Sequence, residues 1–529
     1  MRAARHAAAA ALAALGALAG PASSGHLSGQ EIVPGAAADT AGREARLPAP
    51  DRSWSIDRAV SLALRNNRAL QVSRLDLATA EQQVEEAYGA LAPTVDASAG
   101  YQRNLKVPTA FLPAFIFDPE APPDQLVPVR FGADNQWTAG VTVDQPLFDA
   151  AVLIGVSTSS RFRGLRREAL RGTAQQVATT VRIAYLNVLV AREAYRVTSN
   201  SVQRVERTLE ETSALNRAGL VSDYDVLRLE VQLSNIRPNL RRAENAVREA
   251  ERLLAIEMGL PEVEQAGAEG DLARIDLEDL DANDEANRRL LGFAGVEDFG
   301  PGEFERLHAG ALATRSDLQQ LRLQKELEEA RVKVQRSDLF PRLSAFFNYA
   351  VQAQQDGSPD FFGSGPDQRS TSSSVGLLVE VPVFSGFQRV NRIQQREIAV
   401  RQAEERLAEA RQRVENEVRT TLEALLEARD RAIAQRAAVG EAERGFEIVS
   451  TEYLAGTRTR LEVTDAETAL RQAELNYAEA VYDYLVARAR LDLAVGVVPE
   501  VESAVASMVE RPGEAPEPVR PAGVMESGR

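Results

Sequence analysis

Residues 139–148 read Ala-Gly-Val-Thr-Val-Asp-Gln-Pro-Leu-Phe, and residues 375–384 read Val-Gly-Leu-Leu-Val-Glu-Val-Pro-Val-Phe. They align on Gly140 with Gly376, Pro146 with Pro382 and Phe148 with Phe384, a shift of 236. In the second stretch Val375, Leu377, Val379 and Val381 alternate with Gly376, Leu378 and Glu380. A period of two, with apolar residues on one side and small or acidic ones on the other, predicts a strand with unlike faces.

The match is one of a series. Leu91-Ala92-Pro93 followed by Tyr101 returns as Leu339-Phe340-Pro341 followed by Tyr349, a shift of 248. Ala218-Gly219 with Val226, and later Gly259, return as Ala455-Gly456 with Val463, and Gly496, a shift of 237. The drop from 248 to 236 places a loop 12 residues longer in the first half. The chain is therefore a tandem duplication, and each unit reads as helix, hairpin, helix, helix. The first repeat spans residues 53–261, with a hairpin at about 94–146 and a long helix at about 149–214. An acidic segment, 262–305, joins it to the second repeat, 306–498, with a hairpin at about 342–382 and a long helix at about 386–453. Pro93, Pro146, Pro341 and Pro382 mark the strand–helix junctions, because proline cannot continue either element. A Pro-rich tail, 499–529, is expected to be disordered.

Composition narrows the class. Without cysteine there is no disulfide, thiolate metal site or cysteine nucleophile, and the three histidines form no ligand set. A net charge of −16 argues against nucleic acid. No catalytic triad, phosphate loop or cofactor motif stands in the sequence, so no enzyme and no cofactor are expected. Residues 1–22 read as a secretory signal: Arg2 and Arg5, an apolar run from Ala7 to Leu18, then small residues. Residues 23–52 read as a flexible segment rich in Gly, Ala, Pro and Ser. An exported chain lacking a long apolar helix can still cross a membrane as a β-barrel. The aromatic residues favour this, since 15 of 29 fall within 101–148 and 340–387, around the strands.

The two long helices contain no proline. In the second, Ile393, Val400, Leu407 and Val414 recur every seven residues, with Ala403 and Ala410 between them, the spacing of a coiled coil. Each long helix reaches on the order of 100 Å and needs partners along its whole length. The helix before each hairpin and the return helix after Gly219 or Gly456 are each about half as long, so two of them stacked end to end match one long helix. Pro238 is expected to kink the first return helix. Four strands per chain cannot close a barrel, and open edges are not tolerated in lipid, so three copies are expected to form a 12-stranded trimeric barrel. The alternative is an exported coiled-coil scaffold or adhesin without a pore.

Two stretches carry a family resemblance. Ser55-Ile56-Asp57-Arg58-Ala59-Val60 with Ala63-Leu64 and Asn66-Asn67, and above all Ala455-Gly456-Thr457-Arg458-Thr459 with Val463, Asp465-Ala466, Leu470, Ala473 and Asn476, resemble the TolC-type outer-membrane factors. The resemblance covers about residues 53–498. It implies an outer-membrane exit duct of a tripartite efflux pump or type I secretion system in a Gram-negative bacterium. It also implies a homotrimer, a periplasmic tunnel, a periplasmic adaptor (membrane fusion) protein and an inner-membrane RND or ABC transporter. By the same resemblance Glu462 and Asp465 ring a gate at the periplasmic tip, with Glu462 standing where the family has Asp. Arg458, Tyr453 and Asp225 are the links that hold it shut, and Tyr224 stands where a small hydroxyl residue is usual. Crowding of like charges is expected to raise some pKa values there. The plainer reading of these acids is as helix N-terminal residues favoured by the macrodipole.

Overall fold

A computed structural model describes residues 52–122, 124–260, 266–294, 302–359 and 369–510. The expected signal sequence and nearly all of the 23–52 segment lie outside the described residues, as do 511–529. In chain order the elements are β1 (Arg52–Trp54), α1 (Ile56–Asn66), α2 (Arg68–Gly89), β2 (Thr94–Arg103), β3 (Thr109–Pro113), β4 (Leu126–Arg130) and β5 (Asn135–Phe148). There follow α3 (Ala150–Arg217), α4 (Asp223–Glu257), β6 (Ala266–Ala268), α5 (Glu285–Ala294), α6 (Glu303–Thr314) and α7 (Ser316–Ser337). The chain continues through β7 (Arg342–Gln355), β8 (Arg369–Glu380), α8 (Gln388–Leu454), α9 (Arg460–Val495) and α10 (Val501–Glu510). The protein is mainly α-helical with a small β portion.

Both hairpins join one antiparallel sheet in the order β2-β5-β7-β8, leaving β2 and β8 as its outer edges. The helices repeat that order. Near the sheet α3 packs on α2 and α7, joined to α7 by Arg161–Glu326 at 2.8 Å. Farther along it packs on α4, through Arg192–Glu251 at 2.7 Å, and on α9. α8 packs on α7 through Arg336–Glu397 at 2.6 Å, and then on α9 through Arg431–Asp483 at 3.0 Å. The chain is thus a curtain of four columns, α2/α4, α3, α7/α9 and α8, and only the two inner ones, α3 and α7/α9, are flanked on both sides. The heptad expected in α8 buries Ala403, Leu407 and Val414, and the apolar seam continues through Val418, Leu425 and Ala432.

The helix before each hairpin differs from expectation, being broken by a single extended residue. Asn67 (φ −58, ψ 131) separates α1 from α2, and Arg315 (φ −61, ψ 125) separates α6 from α7. These positions are 248 apart, so the break belongs to the duplicated unit. Its purpose is visible in the hydrogen bonds. Asn67 Nδ2 donates to the carbonyl of Glu257, the last residue of α4, at 2.9 Å, while Asn67 Oδ1 accepts from the Ala69 N–H at 3.0 Å. In the second half Arg315 Nη1 donates to the Ala494 carbonyl near the end of α9, also at 2.9 Å. The unpaired carbonyls that end a return helix are satisfied where the next short helix begins. Gly259 (φ +70) and Gly496 (φ +79) end these return helices, and a Cβ on Gly259 would lie 2.5 Å from the Asn66 carbonyl oxygen.

Four further departures have physical causes. Pro146 lies inside β5 rather than at a junction, where the register with β7 slips; a bulge tolerates the missing N–H. β1 begins at Arg52 and pairs in parallel with β6, held by Tyr185, whose hydroxyl accepts the Glu269 N–H at 2.8 Å and lies 2.9 Å from the Trp54 carbonyl. The tail expected to be disordered contains α10, which buries Val501, Val505 and Met508 against the core. Finally, the loop between β2 and β5 carries its own hairpin, β3–β4. Where β7 begins, Arg342 bridges Asp338 at 3.1 Å and Asp149, the N-cap of α3, at 3.6 Å, tying sheet to helices.

Gly259→Ala is expected to destabilise by roughly 3 kcal/mol or more, through backbone collision as well as strain. Gly219 has the same left-handed backbone but open space around it, so Gly219→Ala should lose only about 1–2 kcal/mol. Thermal unfolding of the two variants checks this, and equal losses would contradict the packing described.

Candidate functional site

The sheet presents two chemically opposite faces, and they follow row by row from the register. Val95, Val143, Phe347 and Val375 lie opposite one another across the four strands. The next row on the other face is Asp96, Thr142, Asn348 and Ser374. The alternation continues: Ala97, Val141, Tyr349 and Ser373 on one side, then Ser98, Gly140, Ala350 and Ser372 on the other. The apolar face is most open on the edge strand β8, with Val375 81% and Leu377 68% exposed. At its outer end Tyr101 and Trp137 pack with ring centroids 5.4 Å apart. Apolar rows ending in an aromatic pair suit lipid contact, and polar rows with Asp96, Asp144 and Glu380 suit an aqueous lumen. The strands of 10, 14, 14 and 12 residues are long enough to span a bilayer when tilted. A soluble scaffold has no use for such a face.

The opposite end of the long helices carries two tips. In each, the long helix stops at a left-handed glycine. The Leu220 N–H reaches the Leu215 carbonyl (3.0 Å) past Gly219, and the Thr457 N–H reaches the Glu452 carbonyl (3.0 Å) past Gly456. This 6→1 bond is the usual glycine-closed helix ending. Each return helix then starts with a capping box. Asp225 accepts the Ser222 N–H at 3.3 Å, and Glu462 accepts the Thr459 N–H at 2.8 Å. Ser222 and Thr459, like Asp225 and Glu462, are 237 apart. Both carboxylates therefore occupy the same place in the duplicated unit, and within the chain both serve first as helix caps.

The structure brings Arg458 and Glu462 together. Arg458 Nε donates to Glu452 at 2.7 Å, and its Nη1 donates to Glu462 at 2.8 Å, clamping α8 to α9 across the turn. The Thr459 N–H, the Arg458 guanidinium and the Thr459 hydroxyl hold the Glu462 carboxyl down at about 2. Within one chain, hydrogen bonds to the charged form outweigh any crowding by like charges. Asp465 lies exposed one turn farther on, on the same side of α9. Tyr453 engages neither Arg458 nor Asp225. It lies beside Arg460, whose guanidinium carbon is 5.6 Å from the ring centroid.

Arg460 is the residue that sequence reasoning missed. Burial lowers its pKa, Tyr453 and Glu211 of α3 oppose that, and Arg228 of α4 adds repulsion. It is a charge of the second tip that feels the first. Its only sequence signal is its place two residues beyond Arg458 in an Arg-Thr-Arg run. A polar seam joins the halves elsewhere along α3 and α9. Ser201 donates to Glu467 at 2.6 Å, and Arg182 pairs with Asp492 at 2.7 Å in full burial. Such pairs are costly to break singly because they leave an unpaired buried charge.

A family model described as outer membrane efflux protein matches residues 59–259 and 307–497, the two duplicated units. The chain belongs to the outer membrane efflux protein family. This efflux protein is 25% identical over 398 residues to the alkaline protease secretion protein AprF of Pseudomonas aeruginosa, covering 72% of this chain and 74% of that one. It is 23% identical over 370 residues to the outer membrane protein TolC of Escherichia coli, covering 69% and 70%. Its fold is similar to that of the Campylobacter jejuni CmeC outer membrane channel, with a TM-score of 0.63 at 16% identity over 86% of this chain and 89% of that one. The family is one of outer-membrane channels with a large helical part, which agrees with the two-faced sheet and the long columns.

Glu462 stabilises the second tip above its ordinary pKa of 4.5, and that contribution is lost as pH falls toward about 2. Glu462→Ala is therefore expected to speed hydrogen exchange at the start of α9 at neutral pH. The difference from the parent protein should fade between pH 4.5 and about 2. A difference independent of pH would rule out the cap.

Proposed function

We propose that three copies of this chain close side by side into a duct that conducts cargo passively from an inner-membrane RND or ABC transporter, through a periplasmic adaptor, across the outer membrane. The observation that carries this is the curtain itself: a four-stranded sheet with one apolar and one polar face, open at β2 and β8. Unpaired strand edges are intolerable in hydrocarbon, and pairing β2 of one copy with β8 of the next removes both. Three copies give a barrel wide enough to conduct, whereas eight strands fill their own interior. Secretion of a polypeptide, as the name of AprF states for that protein, and efflux of small molecules use the same tube, because the tube takes its cargo from its pump.

The tips are the gate of this duct. Three-fold symmetry sets three copies of Asp465 and Glu462 around the inner mouth, a ring that favours cations. Glu462 is already engaged by Thr459 and Arg458, so Asp465 supplies most of the free charge. Arg458 holds α8 to α9 in the second tip of each copy, and Arg460, beside Tyr453, feels the charges of Glu211 and Arg228 in the first. Opening requires these contacts to be given up.

Two bilayer recordings test the reading. Glu462→Ala/Asp465→Ala should abolish block by divalent cations, with Asp465→Ala alone producing most of the loss; unchanged block in the double variant would refute the ring. Arg458→Ser should raise resting conductance several-fold, and a conductance equal to the parent protein would refute the clamp.

A further inference from the structure

The β3–β4 hairpin leaves more apolar surface uncovered than any soluble loop requires. Its register sets Phe111 opposite Pro128 and Pro113 opposite Leu126 on one face, and Leu112 opposite Val127 on the other. The Phe111 face is the open one, with the polar pair Thr109–Arg130 at its base, and Leu112 and Val127 on the other face are half-buried. Phe111 is 64% exposed and Leu126 56%. The two strands pack chiefly against each other, and an isolated two-stranded ribbon is marginal in water. Yet its base is firmly held. The Asn104 N–H donates to the Asp134 carbonyl at 2.8 Å, and Asn104 Nδ2 donates to the Ala133 carbonyl at 2.9 Å. Fully buried Asn135 donates to the Gly357 carbonyl at 2.9 Å, and Asp134 Oδ2 accepts the Gly357 N–H at 3.0 Å. A ribbon so anchored, with one bare apolar face and a second only half covered, is built to be covered.

We propose that the cover is the same hairpin of the other two copies, so that three β3–β4 ribbons pack together and close the outer mouth of the barrel. The inference rests on the trimeric reading above. Two unlike apolar faces are what a head-to-tail ring uses: the Phe111 face of one copy meets the Leu112 face of the next, and three such contacts close. The lengths allow it. Twelve strands about 4.8 Å apart and tilted about 40° enclose a radius of roughly 12 Å, and five extended residues at about 3.4 Å each reach roughly 17 Å. The ribbons are long enough to meet on the axis. Charge argues against their lying on the lipid surface instead. The turn beyond the strands carries Asp118, Glu120 and Asp124, which an anionic leaflet would repel.

The chain lacks cysteine, so introduced thiols report directly. Leu112 and Leu126 point to opposite faces of one ribbon and cannot bridge within it. In full-length protein in outer membranes, oxidised Leu112→Cys/Leu126→Cys is expected to migrate as a covalent trimer that reductant dissolves. Either single variant should give none. Single-channel conductance of the oxidised double variant should fall and recover on reduction. Protein that stays trimeric without heating but forms no covalent trimer overturns the proposal and leaves the duct intact. Quenching of a probe at Ile116→Cys by nitroxide lipids, again without a covalent trimer, would assign the ribbon to the leaflet and overturn it likewise. Protein that is monomeric without heating overturns the trimeric reading and this proposal together.

Discussion

Hydrocarbon offers no hydrogen bonds, so a strand that enters it must have a partner on each side. Most features of this protein follow from that constraint. Each chain brings one sheet whose inner strands are paired and whose outer strands, β2 and β8, are not. The same left-to-right order runs down through the helices, because every strand of the sheet is joined in sequence to the helix of its own column. Edges in the sheet therefore continue as edges in the curtain. Exposed Val72 and Leu75 on α2, and Leu227 and Val231 on α4, lie along one of these margins, at spacings that place each pair on one helical face.

The columns stay in register because the duplicated unit contains its own splice. A long helix needs two short ones beside it, and two short helices meeting end to end leave bare carbonyls and N–H groups. The side chain at the break, Asn67 in one half and Arg315 in the other, satisfies the carbonyl end of the return helix. A left-handed glycine lets the two backbones approach. Gln175 and Thr314 add donors to the Gly496 and Val495 carbonyls, at 2.8 and 2.6 Å. The belt formed by β1, β6 and α10 packs around this level, where the core is largest.

Much of this was legible in the sequence, for reasons that can be named. The alternation from Val375 to Val381 exposed the two faces of the sheet, and the shift of the repeated landmarks exposed the duplication. The glycine turns and the proline-free helices were equally plain. The breaks at Asn67 and Arg315 were not, because one extended residue scarcely disturbs a helical period. Neither was α10, whose short apolar run is followed by a Pro-rich stretch that dominates composition. The hairpin within the first loop was hidden by prolines at 108, 113 and 128, which suit a two-stranded ribbon with free edges. At the helical tips, the sequence supplied Glu462 and Arg458 but not their local geometry. Glu462 is the third residue of a helix whose N-cap is Thr459, and that position engages a carboxylate before any neighbour can. Arg460 escaped notice because its significance lies in burial between two helical tips that only the folded chain brings together.

The count of chains in the intact assembly tests the account most directly. Native mass spectrometry of the protein released from a mild detergent micelle is expected to give a single species of three chains. A stable species of one chain, or of two, would mean that the open margins of this sheet are sealed in some other way, and the duct would have no wall.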